Sequence, residues 1–285
     1  MIESARFTGG RTCRFFKWLE ADRPPSFWSL TGRDNLFPMS ALFRDARLKI
    51  ERAKKHIAEL KTAIISLEES QTSALKQDEK AGIQELTHTS PKLNQSLLEF
   101  SLIVGDAVHN LHTALDFAWA NIIEAKIPSA KSDSTKFPVR PTREILEGCL
   151  HGIKVDVICP ALLEIIVSKI QPYEGGQNGV IWTLHRLDIS DKHLLLLELT
   201  PRTAIRGLVL RDNNGDIFRG HGMPVQGTGP FVIALESGVE IQNKGTLSVE
   251  ITIQEAGIFK GVPVTSLLDS FTNFTLYTVE LLESV

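Results

Sequence analysis

Two long stretches of the chain repeat apolar residues at alternating spacings of four and three, and this pattern commits the chain to long helices. Such spacing places the apolar side chains on one face of a helix. The polar residues 70–92 between the stretches predict a connector or a poorly formed hairpin, so we expect the two helices to lie antiparallel. The repeating residues are Ala46, Ile50, Ala53, Ile57, Leu60, Ile64 and Leu67, and then Leu97, Ser101, Val104, Val108, Leu111, Leu115, Ala118 and Ile122.

The C-terminal third changes to a period of two, which is typical of β-strands. The predicted strands are Ile205–Leu210, Ile217–Arg219, Phe231–Leu235, Val239–Ile241 and Leu247–Ile253. We therefore predict an α+β fold: a helical bundle built on a long antiparallel helix pair, with a small antiparallel β-sheet in the C-terminal third and a closing C-terminal helix. The expected organisation is a weakly ordered leader or upstream extension at 1–38, the helical bundle at 39–192, the β region at 193–262 and a helix at 263–285 that packs on the bundle.

The composition narrows the class of protein. The formal net charge is −3, which gives no general attraction to nucleic acid or to an anionic membrane. The cysteines are Cys13, Cys149 and Cys159; they form no CxxC pair and are odd in number, which suits a reducing cytoplasm better than secretion. No apolar run approaches the roughly 18 residues of a membrane-spanning helix. We therefore predict a cytoplasmic protein with no membrane partner.

The most unusual polar residues lie on the second long helix, on the side opposite its apolar stripe. Surface helices usually carry Lys and Glu there, rather than a concentration of His and Asp. This side contains Asp106, His109, Asn110, His112, Thr113 and Asp116. A second segment with the same residue types contains His185, Asp188, Asp191, Lys192 and His193. We predict that the two segments meet in the folded protein and form a polar site between helices.

Three interpretations of this site stay open. In the first, the His and Asp side chains hydrogen-bond to one another and tie helix to helix, so the site is structural. In the second, the side chains bind a divalent metal that activates a water molecule. No motif such as HExxH supports that interpretation, so a divalent metal stays an option and no cofactor is firmly predicted. The candidate metal ligands are His109, His112, Asp116 and His193.

The third interpretation is acid–base chemistry on a phosphodiester without metal. His109 or His112 transfers the proton, because histidine titrates near neutral pH. A neighbouring carboxylate, from Asp116 or Asp106, orients the ring, and Lys192 stabilises the developing negative charge. The supporting residues of the predicted site are Asp106, Asn110, His185, Asp188, Asp191 and His193.

Four motifs of the chain resemble those of a widespread family of uncharacterised bacterial proteins. They are Gly105-Asp-Ala-Val-His-Asn-Leu-His-Thr-Ala-Leu-Asp-Phe117, Phe137-Pro138, Gln171-Pro172-Tyr173 and Leu184-His-Arg-Leu-Asp-Ile-Ser-Asp-Lys-His193. In that family the first motif typically reads His-Asn-Leu-Arg-x-Ala-Leu-Asp-His, and the last reads Leu-Asp-x-x-Asp-Lys-His-Arg. The resemblance covers residues 39–199 and implies no established activity.

The spacing of Arg, four residues and His in that family is similar to the ribonuclease motif of HEPN domains, which are helical bundles that cleave RNA without metal. This chain carries His112 at the Arg position and Phe117 at the final His position. Phenylalanine cannot transfer a proton, so the resemblance implies altered or lost catalysis here.

The sequence leaves open whether the protein is an enzyme. The leading interpretation is a bacterial cytoplasmic protein whose His/Asp/Lys cluster cleaves or binds RNA, as a HEPN-like and catalytically altered module. One alternative is a non-catalytic scaffold or interaction protein whose polar motifs form a structural hydrogen-bond network. A second alternative is a divalent-metal-dependent hydrolase. The long helical seam also predicts a homodimer.

Overall fold

Two long antiparallel helices form the centre of the fold. Helix α1 (Arg44–Glu69) follows a single 3-10 turn, and helix α2 (Leu93–Lys126) returns alongside it. The side-chain amide of Asn121, near the end of α2, donates to the carbonyl of Leu42 just before α1. The predicted antiparallel pair is therefore confirmed. The computed structural model describes residues 41–78, 83–130, 135–193, 196–225, 230–236, 238–254 and 256–285. The leader predicted at 1–38 lies outside these residues.

The apolar seams of the two helices face each other and are buried in the main core. Within the predicted repeats only Ile64 of α1 and Leu97 of α2 are partly exposed. Removal of this apolar surface from water stabilises the helix pair. Helix propensity alone would give little stability in water, so the helices depend on this burial. The seam is occupied by the chain's own helices, so a homodimer would have to use another surface.

The segment between the helices forms a β-hairpin rather than an open connector. Strands β1 (Thr72–Asp78) and β2 (Ile83–Thr89) pair antiparallel, with Thr72 opposite Thr89. Strand β5 (Phe231–Glu236) pairs with β2 and completes a three-stranded sheet in the order β1-β2-β5. The hairpin is thus held by a strand that follows it by about 140 positions in the chain.

A second antiparallel sheet contains β3 (Leu199–Arg211), β4 (Ile217–Val225) and β6 (Glu240–Ile253). Its strand order is β4-β3-β6. The two last predicted strands are therefore one long strand. Gly245 lies inside β6 with a positive φ of 71°, and a side chain there would overlap the backbone of Arg206. A small apolar cluster from both sheets joins them; it contains Leu86, Ile205, Leu208, Phe231 and Leu247.

Short helices connect α2 to the second polar segment. They are α3 (Arg143–Gly152), α4 (Val155–Ile158) and α5 (Pro160–Glu164), and α5 continues into a wider π-helical turn at Ile165–Ile170. Helix α6 (Val180–His193) then carries the whole second polar segment. Residues 191–193 form the last turn of this helix, and β3 begins at Leu199. Asp188 and Lys192 pair across one helical turn.

Helix α7 (Val264–Glu283) closes the fold by packing on α1 and α2. Two ion pairs fix it to α1: Arg47 with Glu283, and Lys61 with Asp269 at 2.8 Å. The predicted α+β class with its closing helix is confirmed. Within the described residues, no helix combines the length and the apolarity that crossing a bilayer requires.

Candidate functional site between helices α2 and α6

Helices α2 and α6 approach each other closely at Gly105, where the first polar segment begins. A Cβ atom added at Gly105 would lie 2.4 Å from the Asp191 carboxylate oxygen Oδ1. The absence of a side chain at this position therefore lets the carboxylate rest against the backbone of α2. This contact brings the two His- and Asp-rich segments face to face, as the sequence predicted.

Asp188 is the residue around which the site is arranged. Its side chain is only 3% exposed, and its two carboxylate oxygens contact three basic groups. Oδ1 lies 3.0 Å from His109 Nδ1, and Oδ2 lies 2.7 Å from Lys192 Nζ and 3.2 Å from His112 Nδ1. A buried carboxylate is costly unless it is paired, and these contacts supply the pairing.

His109 lies at the open side of the site, with 41% of its side chain exposed. Because an ionised carboxylate only accepts hydrogen bonds, His109 donates from Nδ1 to Asp188 and keeps Nε2 unprotonated at neutral charge. Nε2 is 3.4 Å from the hydroxyl of Thr113, which is a long and weak contact. His109 is therefore a partly exposed imidazole whose ring is fixed by a buried carboxylate.

His112 and His185 form a buried pair behind Asp188. His112 Nε2 and His185 Nδ1 are 2.9 Å apart and share one hydrogen bond. Burial lowers the pKa of both imidazoles to about 4, although the Asp188 carboxylate opposes the shift. At neutral pH both rings are therefore uncharged. His112 Nδ1 makes no well-aligned hydrogen bond, although it lies between the carboxylates of Asp188 and Asp116.

The Asp116 carboxylate binds the loop at Phe137 rather than the imidazole ring of His112. Its Oδ1 accepts a hydrogen bond of 2.9 Å from the backbone N–H of Phe137, whereas its Oδ2 is 3.7 Å from His112 Nδ1. Burial raises the pKa of the Asp116 carboxyl, and the hydrogen bond from Phe137 partly offsets that shift. The spacing of four residues does place Asp116 beside His112, but the stronger bond of its carboxylate goes to the loop.

Asn110 faces helix α1 and directly follows His109 in the chain. The buried amide of Asn110 donates to the carbonyl of Asp106 at 2.7 Å, and its oxygen accepts from Lys49 Nζ at 3.4 Å. The side chain of Asp106 is exposed. The ammonium of Lys49 also lies 5.9 Å from the centre of the Phe117 ring. Lys49 was not among the residues predicted for the site.

Asp191 is half-buried, and its carboxyl has a raised pKa. The causes are burial and then repulsion from Asp188 and Asp106. His193 ends helix α6, and its side chain lies outside the described part of the structure. The structure thus gives no position for one of the four side chains proposed as metal ligands.

The structure revises how the predicted roles are distributed. The sequence predicted Asp116 or Asp106 as the carboxylate that orients a histidine, and the residue in that position is Asp188. His109 is accessible, whereas the other candidate base, His112, has only 8% of its side chain exposed. The spacing of Asp188 and Lys192 on one helix was the available signal for Asp188. No local spacing indicated Lys49, because it comes from another helix.

The charge that a metal ion would bring to Asp188 is supplied by Lys192, whose ammonium lies against Oδ2. Among the side chains that the structure describes, no group of three or more His, Cys, Asp or Glu residues is arranged to hold a metal ion. A carboxylate oxygen that binds a metal ion directs a lone pair at it, and Oδ2 of Asp188 already accepts from the Lys192 ammonium.

Comparison of the chain with models of protein families, with curated protein sequences and with solved structures gives no match. The resemblance drawn from the four motifs therefore stays an expectation.

Proposed function

We propose that the protein is a bacterial cytoplasmic ribonuclease of HEPN-like type that cleaves RNA without a metal ion, with His109 as the general base. The observation that carries the proposal is the hydrogen bond from His109 Nδ1 to the buried carboxylate of Asp188. The His109 side chain is 41% exposed, and its Nε2 makes the long contact to Thr113. This arrangement fixes the ring and the tautomer that proton abstraction requires. Lys192, with 36% of its side chain exposed, lies on the same carboxylate.

RNA is the substrate that such a site favours, because its own 2′-hydroxyl is the nucleophile and no metal-bound water is needed. His109 Nε2 takes the proton of the 2′-hydroxyl, and the 2′-oxygen attacks the adjacent phosphorus. The bond to the 5′-oxygen breaks, and that oxygen takes a proton from solvent. The products carry a 2′,3′-cyclic phosphate and a 5′-hydroxyl. Lys192 stabilises the negative charge that develops on the phosphoryl oxygens.

The proposal also explains why the expected HEPN-like pattern can be altered without loss of activity. His112 and Phe117 replace the Arg and His of the resembling motif. His112 is buried and uncharged, and Phe117 cannot transfer a proton. In this protein the proton transfer is assigned to His109, one helical turn before His112.

The test is cleavage of single-stranded RNA by the purified full chain in the presence of excess EDTA. His109→Asn keeps a donor near the Nδ1 position but removes the outer nitrogen, so we expect a loss of about 10²–10⁴-fold in rate. His151→Asn is the matched control. His151 forms a similar pair, with Nδ1 2.9 Å from Asp156 Oδ2, on an exposed part of helices α3 and α4. Wild-type inertness, or equal rates for wild type and His109→Asn, would overturn the proposal.

A structural role is the second candidate function, and the burial of Asp188 and His112 favours it. Together with His109 and His185, they connect α2 to α6 through contacts of 3.2 Å or less. If the protein is a scaffold, Asp188→Ala should lower the free energy of unfolding, and RNA should stay intact with every variant. Sedimentation of the same preparations tests the homodimer, which both candidates allow.

A further inference from the structure

A partly exposed ridge of helix α2 runs from His109 through Thr113 to Phe117. These residues follow one another at intervals of four, so their side chains lie side by side along the helix. His109 and Thr113 are in contact at 3.4 Å. Phe117 is 39% exposed, although most large apolar side chains of α2 are buried. An aromatic ring therefore stands at the surface about 12 Å from the proposed base, since a helix rises about 1.5 Å per residue.

The two ends of this ridge carry ammonium groups from two other helices. Lys192 of α6 lies beside His109, through their shared contact with Asp188. Lys49 of α1 lies beside Phe117, 5.9 Å from the ring centre. The ridge thus combines two cations with one aromatic face, although the chain as a whole carries a net charge of −3.

Lys49 lies between Asn110 and the Phe117 ring. The Asn110 oxygen accepts a long bond of 3.4 Å from Lys49 Nζ, and the amide nitrogen of Asn110 donates to the carbonyl of Asp106. Asn110 is 8% exposed. Lys54, on the same helix, instead pairs with Glu51 at the surface. Lys49 is a positioned cation with no carboxylate partner among the described contacts.

We propose that the ridge His109–Thr113–Phe117, with Lys49 and Lys192 at its ends, is the binding track for single-stranded RNA. A nucleobase stacks on Phe117, its neighbouring phosphate contacts Lys49, and the scissile phosphate lies between His109 and Lys192. This inference rests on the proposed ribonuclease function and names how its substrate is held. Base–aromatic stacking tolerates any base, so the track selects single strands rather than a particular sequence.

Binding is measured apart from cleavage, with a fluorescently labelled oligouridylate carrying 2′-O-methyl groups, which cannot be cut through the 2′-oxygen. Phe117→Leu should weaken binding by between about 5-fold and about 100-fold, whereas Phe117→Tyr should retain it because the ring is kept. Phe218→Leu is the matched control, since Phe218 is an exposed aromatic residue on strand β4. Its affinity should equal that of wild type.

The contribution of Lys49 is read from the salt dependence of the same titration. Lys49→Gln keeps a donor toward Asn110 and removes the charge. It should reduce the slope of log affinity against log salt concentration by about 0.7, the value for one phosphate contact on a single strand. Lys54→Gln removes a charge from the same helix and should leave the slope unchanged.

The outcomes separate this inference from the catalytic proposal. If wild type binds and cleaves RNA and Phe117→Leu binds equally well, the track is overturned and the catalytic proposal stands. If Phe117→Leu weakens binding but neither wild type nor any variant cleaves RNA, the track stands and catalysis by His109 is overturned. If wild type does not bind the oligouridylate, the track is overturned, and the cleavage assay alone decides the catalytic proposal.

Discussion

Replacement of His112 by Phe should remove one part of the acid sensitivity of the fold. His112 is uncharged in the folded protein because burial lowers its pKa to about 4. In the unfolded chain a histidine has its ordinary pKa of about 6.5. Between these two values the unfolded state binds more protons than the folded state, so the free energy of unfolding falls as the pH falls from 6.5 to 4.

The size of the effect follows from the two pKa values. At pH 8 both states are neutral at His112, and at pH 5 the unfolded state is almost fully protonated there. The free energy of unfolding should therefore be lower at pH 5 than at pH 8 by about 2 kcal/mol through His112 alone. Phe cannot be protonated, and its ring can take the place of the His112 ring, whose centre lies 5.1 Å from that of His185.

The assay is urea unfolding of wild type and His112→Phe at pH 8 and at pH 5, followed by the fluorescence of the buried Trp119. The comparison is the loss of stability between the two pH values, so any constant cost of the substitution cancels. The variant should lose about 2 kcal/mol less than wild type. His151→Phe, at an exposed histidine, should behave as wild type does. Equal losses for wild type and His112→Phe would refute the burial of an uncharged His112.

Three further substitutions test separate contacts of the site. Gly105→Ala should lower the free energy of unfolding by about 1 kcal/mol, because its Cβ overlaps Asp191. In an Asp191→Ala background the same substitution should raise the free energy of unfolding by about 1 kcal/mol, because alanine has the higher helix propensity. Urea titrations measure both changes. Asp116→Ala should cost about 1–3 kcal/mol by leaving the buried N–H of Phe137 unpaired, and Asp116→Asn should cost less, which thermal unfolding can compare. Lys192→Gln should reduce kcat for RNA cleavage by about 10²–10³-fold, and an unchanged kcat would remove Lys192 from the mechanism.

The helical part of the fold was predictable because its period is strong over long stretches. The apolar repeats place α1 and α2 within a few residues of their observed ends. The first β-hairpin was left undecided because strand β1 is exposed along most of its length and shows no alternating burial. Its stability depends on β5, far along the chain. Such a pairing leaves no local signal.

The meeting of the two polar segments was also predictable, whereas the roles of their members were not. Local spacing placed Asp116 next to His112, and the fold directs the Asp116 carboxylate to Phe137 instead. The orienting carboxylate came from Asp188 on another helix. Rotation of α6 against α2 decides which side chains touch. That rotation depends on the close approach at Gly105, whose importance is visible only when Asp191 is seen beside it.

The most direct test of the account is the position of the proton on the uncharged imidazole of His109, measured by nitrogen NMR of the rings. If Asp188 orients His109 as the structure has it, the proton is on Nδ1 and Nε2 is bare, and Asp188→Ala abolishes this preference. A proton found on Nε2 of His109 in wild type would contradict the account, because the exposed nitrogen could then not act as the base.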